Sequence, residues 1–266
     1  MPDIPASLVK ELRDRTGAGF MECKRALIEA NGHLDEAERL IRERGLAAAK
    51  KRAGKTTPEG RVLARVNGRG GVGAIVAVGS ETEPVSKNDE FLGFAERVMT
   101  TVEEAGPEGV ETLEQDRVDL IARIGENIEI VGAARLEAQN GEVLAAYIHP
   151  PAQKIGVLVR AQASAELARM VAMHISFANP RFVTRNEVPV DEVEAERAIL
   201  EKLPDLEGKP DDVKSKIIEG RLAKGFFAET VLDEQPWIHD PSLTVGEALA
   251  EHDAEVRDFV RYALGQ

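Results

Sequence analysis

The sequence predicts an α+β fold from three observations. Apolar residues recur at helical spacing through residues 1–45, where glycine-rich turns separate three short segments. The order strand, turn, strand, helix then occurs twice, first from residue 60 and again from residue 143. Residues 187–225 are highly charged with sparse apolar positions, which predicts an inserted antiparallel helical hairpin. We therefore expect a helical N-terminal module followed by a duplicated α+β core.

The N-terminal module is expected to be a bundle of three helices. Leu8 and Leu12 lie one helical turn apart in the first helix, which ends at a glycine-rich turn over residues 16–19. The second helix ends at the Asn-Gly pair of residues 31–32, a common helix C-cap signal. The third is predicted to begin at Leu34 and to end before Gly45.

A basic run at residues 50–55 follows the predicted bundle. Charge runs at a module boundary are usually exposed, so we interpret this run as a solvated linker. The predicted domain division is accordingly a helical domain over residues 1–54, a first core subdomain over 55–140, and a second core subdomain over 141–266.

Each predicted half of the core pairs two strands and adds a helix. The strands cover residues 62–66, 73–78, 143–147 and 155–159, with a strand-like segment at 256–262. The helices run through residues 91–102, 118–124, 167–175 and 244–252.

Composition restricts the classes of function. The 266-residue chain has a net charge of −13, and an anionic protein repels phosphate backbones, so we expect no direct nucleic-acid partner. The single cysteine, Cys23, excludes an intramolecular disulfide and a thiolate zinc site. No long apolar window or signal-peptide core occurs, which predicts a cytoplasmic protein without a membrane partner.

The sequence contains no motif of catalytic chemistry. Its five histidines have no metal-ligand spacing, and no nucleophile motif occurs. His174 lies on an apolar helix face and is interpreted as a packed histidine, whereas His149 ends a strand and is a candidate for partner contact. An acidic enzyme site near Glu81 and Glu83 is an alternative that would require turnover and metal dependence. We expect no catalytic residue, no cofactor and no metal.

Four separated motifs resemble the elongation factor Ts family over nearly the whole chain. Their order matches that of the family, so the combination is more specific than any single motif. The motifs are residues 7–13 with 15–19 and 23–27, residues 124–128, residues 219–222 with 226–227 and 235–236, and residues 244–246.

The resemblance implies both a fold and a function. In that family the N-terminal module is a three-helix, ubiquitin-associated-like domain, and the hairpin is a coiled-coil insertion available to partners or to a second copy. Members bind elongation factor Tu in its GDP-bound and nucleotide-free states, perturb its Mg²⁺ and phosphate site, and promote GDP release so that GTP can bind. No bond is made or broken, so the resemblance implies an exchange factor and no enzyme. The bundle alone would also suit a ubiquitin-binding module.

The principal contact loop of the family reads Thr-Asp-Phe-Val, and the matching run here is Thr82, Glu83, Pro84 and Val85. In the family the phenylalanine wedges into an apolar pocket of the GTPase, which is linked to displacement of Mg²⁺. Glu83 keeps the charge, but Pro84 lacks the ring and is expected to push Glu83 toward an extended conformation. Two alternatives remain open: a shorter wedge that still works, or an exchange-impaired adaptor that binds the GTPase.

Further partner-binding candidates follow from the resemblance of the N-terminal module. They are Leu12, Arg13, Phe20, Met21 and Lys24, which resemble residues that touch a GTPase helix. Leu12 and Met21 can equally be bundle core, whereas Phe20 follows a glycine turn that favours exposure. The helical hairpin also leaves a homodimer open.

Overall fold

The computed structural model describes residues 4–266 and mixes helices with sheets, which confirms the α+β class. The helices are α1 (Ala6–Thr16), α2 (Phe20–Glu29), α3 (Leu34–Arg52), α4 (Glu83–Ser86), α5 (Asp89–Ala105), α6 (Glu114–Ile124), α7 (Ala165–Ala178), α8 (Val190–Glu201), α9 (Asp211–Arg221), α10 (Ala228–Thr230) and α11 (Val245–Ala250). The strands are β1 (Glu59–Val66), β2 (Val72–Ser80), β3 (Ile128–Glu137), β4 (Val143–Ile148), β5 (Ile155–Gln162), β6 (Pro236–Trp237), β7 (Asp240–Thr244) and β8 (Glu255–Ala263).

The chain divides into two compact units. One contains the described residues up to Val62 together with Val76–Ala133 and Leu264–Gln266, and the other contains Leu63–Ile75 and Ala134–Ala263. None of the helices in residues 4–266 combines the length and apolar composition needed to cross a membrane.

Helices α1, α2 and α3 enclose a small apolar core, as the helical spacing predicts. The chain leaves α1 at Gly17, whose φ of 67° is the left-handed conformation that favours glycine. The core residues are Val9, Leu12, Ala18, Cys23, Ala26, Leu27, Ala30 and Ala37. Burial of these apolar side chains is the main stabilising contribution to the bundle.

Helix α3 is longer than predicted. It continues past Gly45 to Arg52, so the prediction that it ends before Gly45 is wrong, and the predicted linker at residues 50–55 is helical as far as Arg52. Gly45 is buried, and a Cβ atom there would lie 3.6 Å from the Cβ atom of Ala122 on α6, so the glycine marks a helix–helix contact and not a helix end. The basic residues occupy the last turn of α3, where cations stabilise the exposed carbonyl groups.

Two three-stranded sheets contain the predicted strands. Their orders are β1-β2-β3 and β4-β5-β8, and a two-stranded sheet pairs β6 with β7. In both larger sheets the second strand of the predicted hairpin is central, and β4, β5 and β8 pair antiparallel. The sequence missed β3, β6 and β7. The shared strand order agrees with a duplicated core, which stays a prediction.

Helix α7 covers the β4-β5-β8 sheet. It begins at Ser164, whose side chain accepts a hydrogen bond from the backbone N–H of Leu167, and ends at Asn179 in the left-handed conformation. The buried cluster between helix and sheet includes Val157, Val159, Val171, Ile175 and Trp237. This cluster is the apolar core of the second unit.

Two helices, α8 and α9, lie in the predicted hairpin at residues 187–225. Few of their residues are buried. Within these two fully described helices, α8 has no buried residue and α9 has one, Ile218. Arg197 of α8 and Glu219 of α9 form an ion pair at 2.6 Å. A second, smaller apolar cluster joins the connection between the two helices, through Leu206, to α9 and to the residues before α8 and after α9; it consists of Val188, Leu206, Ile218, Leu222, Phe227 and Val231.

Candidate functional site

The predicted contact loop, residues 82–85, begins one residue after the end of β2 and leads into a single helical turn. Thr82 has an extended backbone (φ −130°, ψ 154°), and Glu83 is the first residue of α4, with Pro84 second. The prediction that Pro84 pushes Glu83 to an extended conformation is therefore wrong. The first turn of a helix tolerates proline, and the turn is closed by the hydrogen bond from the Asn88 N–H to the Val85 carbonyl at 2.9 Å.

The side chains of the contact loop face solvent. Thr82, Glu83 and Pro84 are exposed and Val85 is half-buried. The Glu83 carboxylate pairs with the Lys87 ammonium group, with Oε1 and Nζ 2.6 Å apart. The loop thus presents a charged residue and the proline ring, with no aromatic side chain at its tip.

A reciprocal set of hydrogen bonds fixes the start of the contact loop. The backbone N–H of Thr82 donates to Glu126 Oε2 at 3.0 Å, and the Thr82 hydroxyl donates to Glu126 Oε1 at 2.7 Å. In the opposite direction, the backbone N–H of Asn127 donates to Glu81 Oε1 at 2.6 Å. We call Glu81, Thr82, Glu126 and Asn127 the carboxylate clamp. Hydrogen bonds to ionised carboxylates are stronger than neutral ones, so the clamp restrains both chain segments.

A second layer holds the carboxylate clamp. Arg52, at the end of α3, donates from Nη1 to both carboxylate oxygens of Glu81, each at 3.2 Å. The side-chain amide of Asn127 donates to the Lys55 carbonyl at 2.8 Å. Gly125 ends α6 with φ 81°, and this turn brings residues 126–127 toward the contact loop. The last turn of the N-terminal module is thereby connected to the loop.

Helix α5, which follows the contact loop, is also tied to the N-terminal module. The Asn88 side chain accepts hydrogen bonds from the backbone N–H groups of Glu90 and Phe91, which caps α5. Arg123 donates to Glu90 Oε2 at 2.6 Å. A Cβ atom built at Gly17 would lie 3.6 Å from Arg123 Nη1, so the turn after α1 passes directly over this guanidinium group.

The partner-binding candidates of the N-terminal module divide into surface and core. Phe20 and Met21 are 48% and 62% exposed, and Arg13 and Lys24 are also exposed. Leu12 is fully buried, so the prediction that it contacts a partner is corrected: Leu12 is a residue of the bundle core. Met21, in contrast, is not core.

Cys23 lies in the same small core, and burial raises the pKa of its thiol. The raised pKa keeps the thiol protonated at neutral pH, so Cys23 behaves as a small apolar side chain.

The two histidines considered from the sequence differ sharply. His149 is exposed at the end of β4, with Nδ1 3.2 Å from the Tyr147 hydroxyl. His174 is fully buried, with Nε2 2.9 Å from Gln235 Oε1, and burial lowers its pKa. The geometry of His174 agrees with a packed histidine.

The residues considered for an acidic enzyme site are already engaged in structure. Glu81 is bound by Arg52 and by the Asn127 N–H, and Glu83 is paired with Lys87. Across residues 4–266, no group of three or more His, Cys, Asp or Glu side chains is placed to hold a metal ion.

Comparison with known proteins identifies the family. The family described as Elongation factor TS matches residues 81–266. Elongation factor Ts of Photorhabdus laumondii is 43% identical over 271 residues, which cover 100% of this chain and 94% of that protein. The same protein of Alkalilimnicola ehrlichii is 42% identical, covering 99% and 92%, and that of Haemophilus influenzae is 42% identical, covering 100% and 93%. The chain belongs to the elongation factor Ts family.

Two of the family motifs have identifiable structural roles in this member of the elongation factor Ts family. Residues 124–128 end α6 and supply Glu126 and Asn127 to the carboxylate clamp. The Thr244 side chain accepts from the Glu247 N–H while Glu247 accepts from the Thr244 N–H, a capping box that begins α11. These two motifs therefore have roles in local structure, one in the carboxylate clamp and one in capping a helix.

Sequence reasoning did not find Arg52, Glu126 or Asn127 as residues of the site. Residues 124–128 were recognised only as a family motif, and Arg52 was placed in a linker. Pairing of a carboxylate with a distant backbone N–H leaves no periodic signal in the sequence, so the motif itself was the only indication.

Proposed function

We propose that this chain is the guanine-nucleotide exchange factor of elongation factor Tu. It binds the GDP-bound and nucleotide-free GTPase, perturbs the Mg²⁺ and phosphate site, and promotes GDP release so that GTP can bind. Family membership supports the role, and one observation carries its assignment to a surface: the contact loop is exposed and restrained at the position that matches the family's contact loop.

The proposed activity is a matter of linkage between two binding equilibria. A protein that binds the nucleotide-free GTPase more tightly than the GDP form weakens GDP binding by the same factor. Such a protein needs no acid, base, nucleophile or cofactor of its own. It also needs no direct contact with nucleic acid or with a membrane, and it would act in the cytoplasm, where translation proceeds.

Within the contact loop we assign a role to each exposed side chain. Pro84 is the apolar tip that enters the pocket of the GTPase, and Glu83 places a negative charge beside it. A phenyl ring buried at this point would contribute about 2–3 kcal/mol of transfer free energy, and the smaller proline ring contributes less. Thr82 and Val85 are the fixed ends of the turn.

A second contact surface is proposed on the N-terminal module. Phe20 and Met21 form an exposed apolar pair at the start of α2, and Arg13 and Lys24 add exposed cationic groups. This combination suits a helix of the GTPase that carries apolar and acidic residues. We add His149, on the other compact unit, as a further contact. Pairing of two copies through α8 and α9 is a proposal that measurement of stoichiometry would decide.

The decisive experiment is release of a fluorescent GDP analogue from the cognate elongation factor Tu, with and without this protein, across Mg²⁺ concentrations. We expect saturable acceleration, with the largest ratio to spontaneous release at high Mg²⁺, where spontaneous release is slowest. An unchanged release rate at every Mg²⁺ concentration would contradict the proposed function.

Substitution of Pro84 separates exchange from the alternative of an exchange-impaired adaptor. If the shorter wedge suffices, Pro84→Phe changes the maximal release rate by less than about threefold, under 1 kcal/mol. A gain above about tenfold with unchanged binding would instead identify the adaptor. Pro84→Ala is the control, because it removes the proline ring without adding an aromatic one.

A further inference from the structure

We propose that Glu126 is a positioning residue for the contact loop. This inference rests on the proposed function of that loop. Glu126 is half-buried and uses both carboxylate oxygens on one residue, Thr82, which is the last extended residue before α4. Glu126 thereby fixes the point from which Glu83 and Pro84 leave the sheet.

The geometry distinguishes this role from ordinary packing. Glu126 Oε2 accepts the backbone N–H of Thr82, which is the N-cap residue of α4, and Oε1 accepts its hydroxyl. The Thr82 side chain makes no capping bond to α4, since its hydroxyl is directed to Glu126. The orientation of α4 is therefore restrained by Glu126, a residue outside this helix that follows α6.

The restraint has a direct consequence for binding. Helix α4 has four residues, which is too short to hold its own shape in water. Its far end is held by the buried Ser86, whose hydroxyl donates to the Glu83 carbonyl at 2.8 Å, and its near end by the bonds at Thr82, so the orientation of Pro84 depends in part on those bonds. If only a fraction of the molecules hold the loop in the binding-competent orientation, the apparent affinity and the rate of exchange at limiting protein are the intrinsic values multiplied by that fraction. Removal of two hydrogen bonds to an ionised carboxylate is expected to lower this fraction about tenfold.

Glu81 completes the arrangement from the other side. Its carboxylate accepts the Asn127 N–H at 2.6 Å and is bound by Arg52. The segment that carries Glu126 is thus held independently of Thr82. Loss of the Glu126 side chain should release the contact loop while leaving residues 125–127 in place.

The test compares Glu126→Ala and Glu126→Gln with the wild-type protein. The glutamine keeps one oxygen acceptor and is the variant of choice if the alanine variant unfolds. Glu129→Gln is the matched control, because Glu129 also accepts a hydrogen bond from a threonine hydroxyl, that of Thr57 at 3.2 Å, but bonds to no residue of the contact loop in that pairing.

Two readouts are needed. Amide hydrogen exchange of the free protein reports the loop without the partner, and we expect Thr82 and Ser86 to exchange about tenfold faster in Glu126→Ala, with α5 unchanged. GDP release from elongation factor Tu reports the function, and we expect it to slow about tenfold at limiting protein, with a smaller effect in Glu126→Gln and none in Glu129→Gln.

The outcomes separate the two proposals. Unchanged hydrogen exchange at Thr82 and Ser86 would overturn the positioning role, and so would a mobile loop that still supports the wild-type rate of GDP release. A wild-type protein that fails to accelerate GDP release would overturn the proposed function, while the hydrogen-exchange result would still decide whether Glu126 positions the loop.

Discussion

His174 Nε2 lies 2.9 Å from Gln235 Oε1 in the core of the second compact unit, and the Trp237 ring lies beside the imidazole with centroids 5.2 Å apart. Burial lowers the pKa of His174 below its ordinary value of 6.5, and the nearby His239 acts in the same direction. The native state therefore holds a neutral imidazole where the unfolded chain would take up a proton. This difference makes stability depend on pH.

The sign follows from the lowered pKa of His174. Its contribution to stability is fully present above pH 6.5 and is lost as the pH falls through the folded pKa, because the unfolded state then binds the additional proton. We expect His174→Phe to be about 1–3 kcal/mol less stable at pH 7.5, since Gln235 loses a partner, yet to lose less stability on acidification to pH 5. Urea unfolding at both pH values measures this, with His33→Gln, a change at an exposed histidine, as control. Equal acid losses in wild type and His174→Phe would contradict the assignment.

Asp233 should have the opposite effect on stability. Burial, together with the nearby carboxylates of Glu187 and Glu234, raises the pKa of Asp233 from 3.8 to about 6. A raised pKa gives a contribution that is present below pH 3.8 and lost as the pH rises through about 6. Asp233→Asn should therefore stabilise the protein at pH 8 by roughly 1 kcal/mol after allowance for solvent screening, and by less at pH 5.

Thermal unfolding of Asp233→Asn at pH 5 and pH 8 would measure the difference. Asp240→Asn is the matched control, because hydrogen bonds from Ser242 lower the pKa of Asp240, and its replacement should give no gain at pH 8. A larger gain for Asp233→Asn at pH 5 than at pH 8 would show the sign to be wrong.

Gly60, in β1, lies where a side chain would overlap neighbouring atoms. Its φ is 139°, and a Cβ atom there would lie 2.1 Å from the Val78 carbonyl oxygen and 2.9 Å from Leu264 Cδ1. Gly60→Ala should destabilise the protein by about 3 kcal/mol or more, since both backbone strain and overlap oppose it. The control is Gly68→Ala, with no heavy atom within 4 Å of the added Cβ. Chemical unfolding of both variants measures this, and equal midpoints would refute it.

Phe20 is expected to contribute to binding and not to folding. The ring is 48% exposed at the start of α2, so Phe20→Ala should leave the melting temperature nearly unchanged. Loss of an interface aromatic should weaken the affinity for elongation factor Tu about tenfold. Val131→Ala, at a residue that is 49% exposed on β3, is the control for loss of exposed apolar surface. Equal affinities of Phe20→Ala and wild type, by calorimetry, would remove Phe20 from the proposed surface.

The sequence predicted those elements whose apolar period is clean. Helix α5 and strands β2 and β5 bury most of their apolar positions, and all three were expected. Strand β3 was missed because it is mostly half-buried, and its apolar residues give no regular alternation. Short strands such as β6, with two residues, carry too little pattern to be recognised.

The candidate site was predictable only in part. The contact loop was located through its family motif, but its backbone was not, because hydrogen bonds of the turn outweighed the local preference of the residue before proline. The basic run at residues 50–55 illustrates a related difficulty. Charge alone suggests a linker, whereas three of these residues stabilise the end of a helix, and Arg52 contacts Glu81.

The continuity of α3 sets a limit on changes of chain length. An α-helix turns by about 100° for each residue, so deletion of one residue between Gly45 and Arg52 would swing the Arg52 side chain to a different side of the helix axis. The same deletion would carry the guanidinium group away from the Glu81 carboxylate without altering a single side chain of the contact loop. The number of residues in α3 therefore determines whether Arg52, at its end, faces the Glu81 carboxylate next to the contact loop.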